Sequence, residues 1–144
     1  MNTNCILASI LIFALVLTNC KKYDEGPCLS FRSKKDRVVG KWQTDRWFVN
    51  KVEQASAMLY DQKHEFTKDG KYLWSGTNPY TGVSSGSEGT WEFRSRKEQL
   101  VLGLPDEFDG QMQYQVWDIL KLKNNELWLE KIDGNIYEWR LKPQ

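Results

Sequence analysis

The sequence predicts an all-β protein whose globular part is an eight-stranded, antiparallel, up-and-down β-barrel. Eight short runs rich in β-branched and aromatic residues follow one another, and turn-forming stretches such as Lys68-Asp69-Gly70 and Asp133-Gly134-Asn135 separate several of them. Large apolar residues alternate with polar residues inside the runs, as in strands with one buried and one solvated face. The first, third and fifth connections are long, and the second, fourth and sixth are short. Because alternate connections of a meander lie at the same end, one end should be closed and the other open.

Each predicted strand assigns alternate side chains to the interior. The strands are Val38–Val49, Lys63–Thr67, Lys71–Ser75, Gly89–Arg94, Leu100–Leu104, Met112–Lys123, Leu127–Ile132 and Ile136–Leu141. The inward sets are Trp42 with Arg46 and Phe48, Tyr72 with Trp74, Trp91 with Phe93, Leu100 with Leu102 and Leu104, the even positions from Met112 to Leu122, Leu127 with Leu129, and Tyr137 with Trp139 and Leu141. The connection Asn50–Gln62 has apolar residues at near-helical spacing, which predicts one short helical lid. The connection Gly76–Glu88 has the composition of a mobile loop.

Composition excludes several classes of function. The chain has 20 basic and 19 acidic residues, and its net charge of +1 gives no reason to expect a nucleic-acid partner. One histidine and three cysteines leave little material for a metal site or a hydrolytic triad. His64 lies on a predicted strand without a nucleophile motif nearby, and we interpret it as an ordinary strand residue. We therefore expect neither an enzyme nor a bound cofactor or metal.

The first twenty residues form a separate segment. Ile6 to Leu17 is a run of twelve apolar residues. Such a run is shorter than the roughly 20 residues needed to cross a bilayer and suits the core of a signal peptide. The stretch Leu17-Thr18-Asn19-Cys20 resembles the bacterial lipobox, which implies cleavage before Cys20 and its acylation, with palmitate among the chains. The alternative is a plain secretory signal with an incidental cysteine.

These features divide the chain into a signal peptide at 1–19, a lipidated cysteine with a flexible tether at 20–35, and a barrel domain at 36–144. The expected location is the cell envelope. The N-terminal lipid would lie in the outer membrane, with the barrel either periplasmic or surface-exposed. Residues 21–25 resemble the short charged tags that send some Bacteroidetes lipoproteins to the outer surface. Cys28 would be either an inert thiol of the tether or a link between two chains.

A succession of motifs resembles a known family. Val39-Gly40-Lys41-Trp42 resembles the lipocalin G-x-W motif, in which glycine allows close approach and tryptophan closes the barrel floor. It is followed by Phe66–Tyr72, Gly89–Phe93, Leu100–Leu102, Ile119–Leu122 and Glu126–Leu129. That order is similar to the small lipocalin-like (calycin-like) domains of secreted Bacteroidetes lipoproteins, and it covers about residues 36–142. Lipocalins often place an arginine of the last strand across the floor tryptophan. Arg140 is the matching residue, although alternation puts it opposite Trp139.

Eight candidate ligand-binding residues follow from the predicted interior: Trp42, Tyr72, Trp74, Trp91, Phe93, Tyr114, Asp118 and Trp139. Their aromatic rings either fill the barrel or line an apolar pocket, since eight-stranded barrels do both. Asp118 and Arg46 interrupt inward-facing patterns, and unpaired buried charges are costly. Either the two form a buried pair that recognises a polar head group, or a β-bulge turns them outward.

The resemblance and the aromatic interior predict a membrane-anchored lipoprotein whose barrel binds a small apolar or amphipathic ligand for sequestration or transfer. The alternative is a non-enzymatic interaction protein with a filled barrel, which binds an envelope protein or a glycan through its open-end loops. Those loops carry large apolar residues, namely Met58, Leu59, Tyr60, Tyr80 and Phe108. An aromatic-lined cup favours the first function, and a filled barrel with an apolar loop patch favours the second.

Overall fold

A computed structural model describes residues 32–55 and 61–144 and confirms the predicted fold class. Its elements are helix α1 (Lys34–Val38) and strands β1 (Gly40–Val49), β2 (Val52–Glu53), β3 (Lys63–Phe66), β4 (Lys71–Thr77), β5 (Ser84–Arg94), β6 (Gln99–Pro105), β7 (Met112–Leu122), β8 (Leu127–Asp133) and β9 (Asn135–Pro143). Strands β3 to β9 pair in succession, and β1 pairs with both β3 and β9, which closes an eight-stranded antiparallel barrel. The short β2 is an addition paired with the end of β1. The predicted signal peptide, Cys20, Cys28 and most of the tether lie outside the described residues.

The two ends of the barrel differ as the connection lengths predict. Helix α1 and the connections β3–β4, β5–β6 and β7–β8 lie at one end, which we call the closed end. The connections β1–β3, β4–β5, β6–β7 and β8–β9 lie at the other, the open end. The turns at Lys68-Asp69-Gly70 and Asp133-Gly134-Asn135 are confirmed, with Gly70 and Gly134 at φ +91° and +68°.

Helix α1 covers the floor of the barrel and was not expected from the sequence. Val38 is fully buried, and its carbonyl accepts a hydrogen bond from the Trp42 indole N–H (2.8 Å). The Arg37 guanidinium donates to the Leu122 carbonyl (3.2 Å) at the end of β7. Because the helix begins at Lys34, it crosses the expected boundary between tether and domain at 35/36.

The half of the barrel next to the floor is filled with side chains. Its buried residues come from α1 and from every barrel strand, and they include Val38, Trp42, Phe66, Tyr72, Trp91, Leu100, Leu122, Leu127, Leu129 and Leu141. The Trp91 indole N–H donates to the Thr67 carbonyl (3.0 Å), so the polar atom of this ring is satisfied inside the core.

A β-bulge exchanges the inward and outward faces of β1. Thr44 pairs with Leu141 and Arg46 with Arg140 across β1 and β9, so Asp45 is an extra residue on β1. Residues after a bulge point to the opposite face from the one that simple alternation assigns. The predicted inward position of Arg46 is therefore wrong.

A second bulge acts in the same way on β7. Ile119 pairs with Leu129 and Lys121 with Trp128, so Leu120 is the extra residue. Leu122 is inward as predicted, but the residues before the bulge have the opposite phase. Consequently Trp117 and Ile119 are buried, and the even positions from Met112 to Asp118 face outward.

Arg140 does not cross the floor tryptophan, so the position implied by the resemblance is wrong. The strand β9 has no bulge between Trp139 and Arg140, and the two side chains keep opposite faces. The Arg140 guanidinium lies outside the barrel, 4.5 Å from the Phe48 ring centroid and 4.1 Å from that of Trp128.

Two predicted loops contain regular structure. Asn50 and Lys51 have φ of 50° and 67° and form a two-residue hairpin turn, and β2 follows directly. The helical lid is therefore wrong for residues 50–55, while Met58, Leu59 and Tyr60 lie outside the described residues. The connection Gly76–Glu88 is mostly a hairpin, since Thr77 pairs with Ser84. Its small polar residues pair through their backbones and leave no apolar alternation in the sequence.

Two glycines allow β5 and β6 to approach each other where β5 changes partner. Residues 84–89 of β5 pair only with β4, Thr90 pairs with both β4 and β6, and residues 91–94 pair only with β6. A Cβ atom built on Gly89 would overlap the Gly103 carbonyl oxygen, which is backbone and cannot move aside cheaply. A Cβ on Gly103 would lie 2.8 Å from both Thr90 Oγ1 and Tyr114 Cε1.

We expect Gly89→Ala to lower the free energy of unfolding by about 2–3 kcal/mol, because the new methyl group forces the two strands apart. Gly76→Ala is the matched control, since the nearest atoms to its new Cβ would be side-chain carbons at 3.6 Å. That variant should stay within about 0.5 kcal/mol of wild type. Urea unfolding followed by tryptophan fluorescence measures both, and equal stability of the two variants would contradict the expected clash.

Candidate functional site

The open half of the barrel encloses a cavity of about 490 Å³. Its aromatic wall consists of Trp47, Tyr72, Trp74, Trp117 and Trp139, and Leu102, Leu104 and Pro105 add aliphatic surface. Its polar residues are Gln62, His64, Asp106, Glu107, Gln113 and Gln115. Cavities that hold small ligands typically have volumes of about 300–1,000 Å³ and mostly apolar walls. The barrel is thus filled at one end and cup-shaped at the other.

The cavity contains some of the predicted ligand-binding residues. Tyr72, Trp74 and Trp139 line it as predicted. The predicted residues Trp42, Trp91 and Phe93 point inward too, but they belong to the packed core and lie outside the cavity lining.

The predicted inward positions of Tyr114 and Asp118 are wrong, because the bulge at Leu120 turns both outward. Tyr114 is 65% exposed on the outer face. Asp118 accepts a hydrogen bond from the Gln99 amide (3.0 Å) instead of meeting an arginine. Arg46 pairs with Glu53 of β2 (2.8 Å), so the buried Arg46–Asp118 pair does not form and the bulge explanation is confirmed.

The same two bulges bring two tryptophans into the cavity that sequence reasoning missed. Trp47 follows the extra residue of β1, and Trp117 precedes the extra residue of β7. With Trp139 they form one cluster, whose ring centroids are 6.0 Å apart for Trp47 with Trp117 and with Trp139, and 5.5 Å apart for Trp117 with Trp139. The contacts are tilted or edge-to-face, the geometries that aromatic pairs prefer.

A chain of buried polar groups lies in the cavity wall. Thr44 Oγ1 accepts from the Trp139 indole N–H (3.0 Å) and is 3.2 Å from His64 Nε2. His64 Nδ1 is 2.9 Å from the Tyr72 hydroxyl. Thr44, His64 and Tyr72 are each no more than 2% exposed. Sequence reasoning missed this role of His64, although its two-residue spacing from the inward Phe66 is a signal that it faces the interior.

Hydrogen-bond counting shows that these groups hold one hydroxyl proton more than they can accept. If the Thr44 hydroxyl donates to His64 Nε2, the imidazole proton lies on Nδ1 and is donated to the Tyr72 oxygen, which leaves the Tyr72 O–H without an acceptor among the described residues. In the other tautomer Tyr72 donates to Nδ1, and the Thr44 O–H is the group without an acceptor there. In either tautomer one hydroxyl group of this polar series is a spare donor.

Burial shifts the pKa values of the two titratable groups in this hydrogen-bonded series, His64 and Tyr72, away from neutral pH. Desolvation lowers the pKa of His64 from 6.5 to about 3, because the charged imidazolium is disfavoured in the interior. Desolvation also raises the pKa of the Tyr72 phenol well above its usual value. Both groups are therefore uncharged at neutral pH, and they act as hydrogen-bonding groups.

Trp117 supplies a second spare donor. Its side chain is 3% exposed, and its indole N–H has no hydrogen-bond partner among the residues that the structure describes. A buried N–H group without a partner costs about 1–3 kcal/mol. Trp117 lines the cavity, and because its indole nitrogen has less than 1 Å² of accessible surface, an acceptor oxygen of an occupant reaches this group only after a shift of the side chain.

The charged residues of the described lining are acidic and lie at the mouth. Asp106 and Glu107 follow the end of β6, and Asp106 accepts from the Phe108 backbone N–H (2.9 Å). The nearby Lys131 is outside the lining; its ammonium lies 5.4 Å from the Trp117 ring centroid and 3.7 Å from the Asp133 carboxylate. The mouth therefore favours uncharged or cationic molecules over anions.

Two further recesses are less suited to a ligand. A groove of about 540 Å³ crosses the outer face of β3 to β5, where Lys41 and Glu65 form a solvated pair (3.8 Å). Another recess of about 440 Å³ lies beside the mouth under the β4–β5 turn and shares Gln62 and Trp74 with the cavity. The cavity inside the barrel is the recess that combines an aromatic wall with buried polar groups.

Fold and cavity together define a closed antiparallel barrel with one open, aromatic-lined end. Neither a protein-family model nor a curated protein matches this sequence. Residues 32–55 and 61–144 contain no helix long and apolar enough to cross a membrane. The same residues bring together no group of three or more histidine, cysteine or acidic side chains that could hold a metal ion.

Stability should fall between pH 7 and pH 5 because of His64. The unfolded chain protonates this histidine near pH 6.5 and the folded chain only near pH 3, so lowering the pH favours unfolding over that window. The loss should reach about 2 kcal/mol at pH 5 and should be measured by urea unfolding at several pH values. His64 is the one histidine of the chain, so His64→Gln should remove the slope. A flat wild-type profile from pH 7 to pH 5 would refute the assignment.

Proposed function

We propose that this protein is a membrane-anchored envelope lipoprotein whose barrel binds one small amphipathic molecule, for sequestration or transfer. The observation that carries the proposal is the cavity of about 490 Å³ with its wall of four tryptophans and one tyrosine. Aromatic rings give affinity for apolar surface at a small loss of conformational freedom. The cup also has its acidic rim at the open end, where a ligand would enter.

The spare donors support a ligand with one acceptor oxygen. Trp117 Nε1–H has no acceptor among the described residues, and the Tyr72 O–H lacks one when His64 carries its proton on Nδ1. A carbonyl or hydroxyl group on an otherwise apolar molecule satisfies such a donor without the desolvation cost of a carboxylate. This argument favours neutral lipids, ketones, esters or aromatic alcohols over fatty acids.

The anchor is proposed from the sequence alone. The apolar run Ile6–Leu17 and the lipobox-like Leu17-Thr18-Asn19-Cys20 precede the described residues. Acyl chains on Cys20 would hold the barrel at the outer membrane, since more than one chain gives stable attachment. The scaffold is consistent with the resemblance to lipocalin-like domains of Bacteroidetes lipoproteins.

A second candidate function is recognition of an envelope protein or a glycan by the open-end loops. Tyr80 in the β4–β5 turn is 83% exposed, and Phe108 in the β6–β7 loop is 97% exposed. Large apolar side chains exposed near each other often mark interaction sites. The cavity makes ligand binding the better-supported function, because a solid barrel would suffice for contacts through the loops.

Benzophenone is a suitable probe, because it has two aromatic rings, one carbonyl acceptor and no charge. We expect wild-type protein to bind it in a calorimetric titration. Trp74→Glu should weaken binding at least about tenfold, because a carboxylate in the wall must be desolvated. Tyr114→Glu is the control, since it makes a similar change on the outer face and should leave affinity within about twofold. Lack of binding to wild type, or equal loss in both variants, would rule out the cavity as a ligand site.

Lipidation is tested at the two cysteines near the N-terminus. Cells fed labelled palmitate should incorporate it into wild-type protein and into Cys28→Ser, but not into Cys20→Ser. Incorporation of the label reports on the anchor, because the acyl chains supply the affinity for the membrane. An unlabelled wild-type chain would show that the segment is an ordinary secretory signal, and label retained by Cys20→Ser would contradict acylation at Cys20 because it places the acyl chain at another residue.

A further inference from the structure

The charges of the barrel are separated between its two ends. The closed-end set comprises residues 32–37, 67–70, 94–98 and 123–126, and the open-end set comprises residues 50–55, 61–62, 78–83, 106–111 and 133–135. The closed-end set has nine basic and four acidic residues, a net charge of +5. The open-end set has one basic and six acidic residues, a net charge of −5. A chain with a net charge of +1 is therefore strongly dipolar along the barrel axis.

Six of the nine basic residues of the closed end are exposed to solvent, whereas Arg37 is buried and Lys34 and Lys123 are partly buried. Exposed residues there are Arg32, Lys35, Lys68, Arg94, Arg96 and Lys97. Among the acidic residues, Glu126 is paired with Lys121 of β7 (2.9 Å), which lies outside the closed-end set. The excess of basic residues at this end comes from segments 32–37, with a net charge of +3, and 94–98, with a net charge of +2, whereas segments 67–70 and 123–126 are each neutral.

The β5–β6 turn holds part of this surface in an unusual conformation. Ser95, Arg96 and Lys97 have φ of 50°, 56° and 67°, a left-handed run that residues with side chains rarely adopt. None of the three is buried, so core packing does not compensate for the conformation. The turn places Arg96 and Lys97 at the tip of the closed end. Strained backbone often occurs at functional sites, so this exposed turn is a candidate functional element.

We propose that the closed end is a docking surface for the anionic lipid head groups of the membrane that holds the anchor. This inference rests on the proposed function through the lipid at Cys20. Cys20 precedes Arg32 by twelve residues, and a chain of that length spans at most about 40 Å. The chain joins the barrel at α1, on the closed end, so this end lies within reach of the lipid surface.

Electrostatics then orients the barrel. Each lysine or arginine near an anionic lipid surface adds attraction, which acts within a Debye length of about 10 Å. The acidic open end is repelled by the same surface. The barrel therefore stands with its floor on the membrane, and the mouth of the cavity opens toward the aqueous side.

The test uses the mature chain from residue 20 with Cys20→Ser, which has no lipid and isolates the contribution of the barrel. Binding is measured by co-sedimentation with vesicles of phosphatidylcholine, with and without phosphatidylglycerol. We expect binding at least about tenfold tighter to the phosphatidylglycerol vesicles at low salt, with loss of this preference at high salt. Arg96→Glu with Lys97→Glu should weaken binding to the anionic vesicles about tenfold or more.

The matched control is Lys51→Glu with Lys63→Glu, which changes the net charge equally but lies at the open end and on β3. It should leave vesicle binding within about twofold of the parent chain. Lys68→Glu with Arg94→Glu is a second closed-end pair, which decides the matter if the first pair perturbs the strained turn. Near-ultraviolet circular dichroism of the tryptophans establishes that each variant is folded.

Three results would overturn the docking surface: no preference for phosphatidylglycerol, equal weakening by open-end and closed-end pairs, or equal affinity for duplex DNA and for the anionic vesicles. Failure of the anchor is distinguishable from these results. An unlabelled Cys20 in the palmitate experiment would remove the lipoprotein assignment, whereas the vesicle measurement reports on the barrel without any lipid. A vesicle preference in a chain that is never acylated would support peripheral membrane binding by the closed end alone.

Discussion

Every strand of a closed barrel must present alternate side chains to a single interior, and this constraint determines the rest of the structure. One extra residue exchanges the two faces of all that follows within the strand. Two such residues, Asp45 and Leu120, decide which aromatic rings are inside. They bring Trp47 and Trp117 against Trp139, and they send the charged Arg46 and Asp118 out. Without them the interior would contain two charges where it now contains two indole rings.

The boundary between the filled and the empty halves of the barrel lies at a layer of polar groups. Tyr72, His64 and Thr44 are hydrogen-bonded to one another in series and to the Trp139 indole, so each of these buried groups has a partner and one hydroxyl proton is left over. Beneath them, aliphatic and aromatic side chains fill the floor as far as Val38 of α1. Above them, rigid rings border the space without filling it. A neutral histidine suits this place, because it accepts and donates at once without a buried charge.

Sequence alone predicts the barrel well and the cavity only in part. Strand runs, turns such as Lys68-Asp69-Gly70, and the long and short connections are local signals, and the structure confirms them. The bulges are not local signals: nothing in the sequence around Asp45 or Leu120 shows that the partner strand has one residue fewer. The phase error they cause is responsible for misplacing Tyr114 and for missing Trp117. The upper part of β5 (Ser84–Glu88) is missed for another reason, since its Ser and Gly residues show no alternation of large apolar and polar side chains.

The charge distribution shows how topology adds to composition. A net charge of +1 for the whole chain gives by itself no electrostatic reason to expect an anionic or a cationic partner. In a meander, however, odd and even connections lie at opposite ends, so summing charges over alternate connections separates +2 at the closed end from −5 at the open end, and residues 32–37, which lead into β1, raise the closed end to +5. That sum needs only the strand order, which the sequence predicts. The charge separation of the barrel therefore follows from the sequence once the fold is known. Predicting which tryptophans face inward requires, in addition, the residue-by-residue register of the strand pairs.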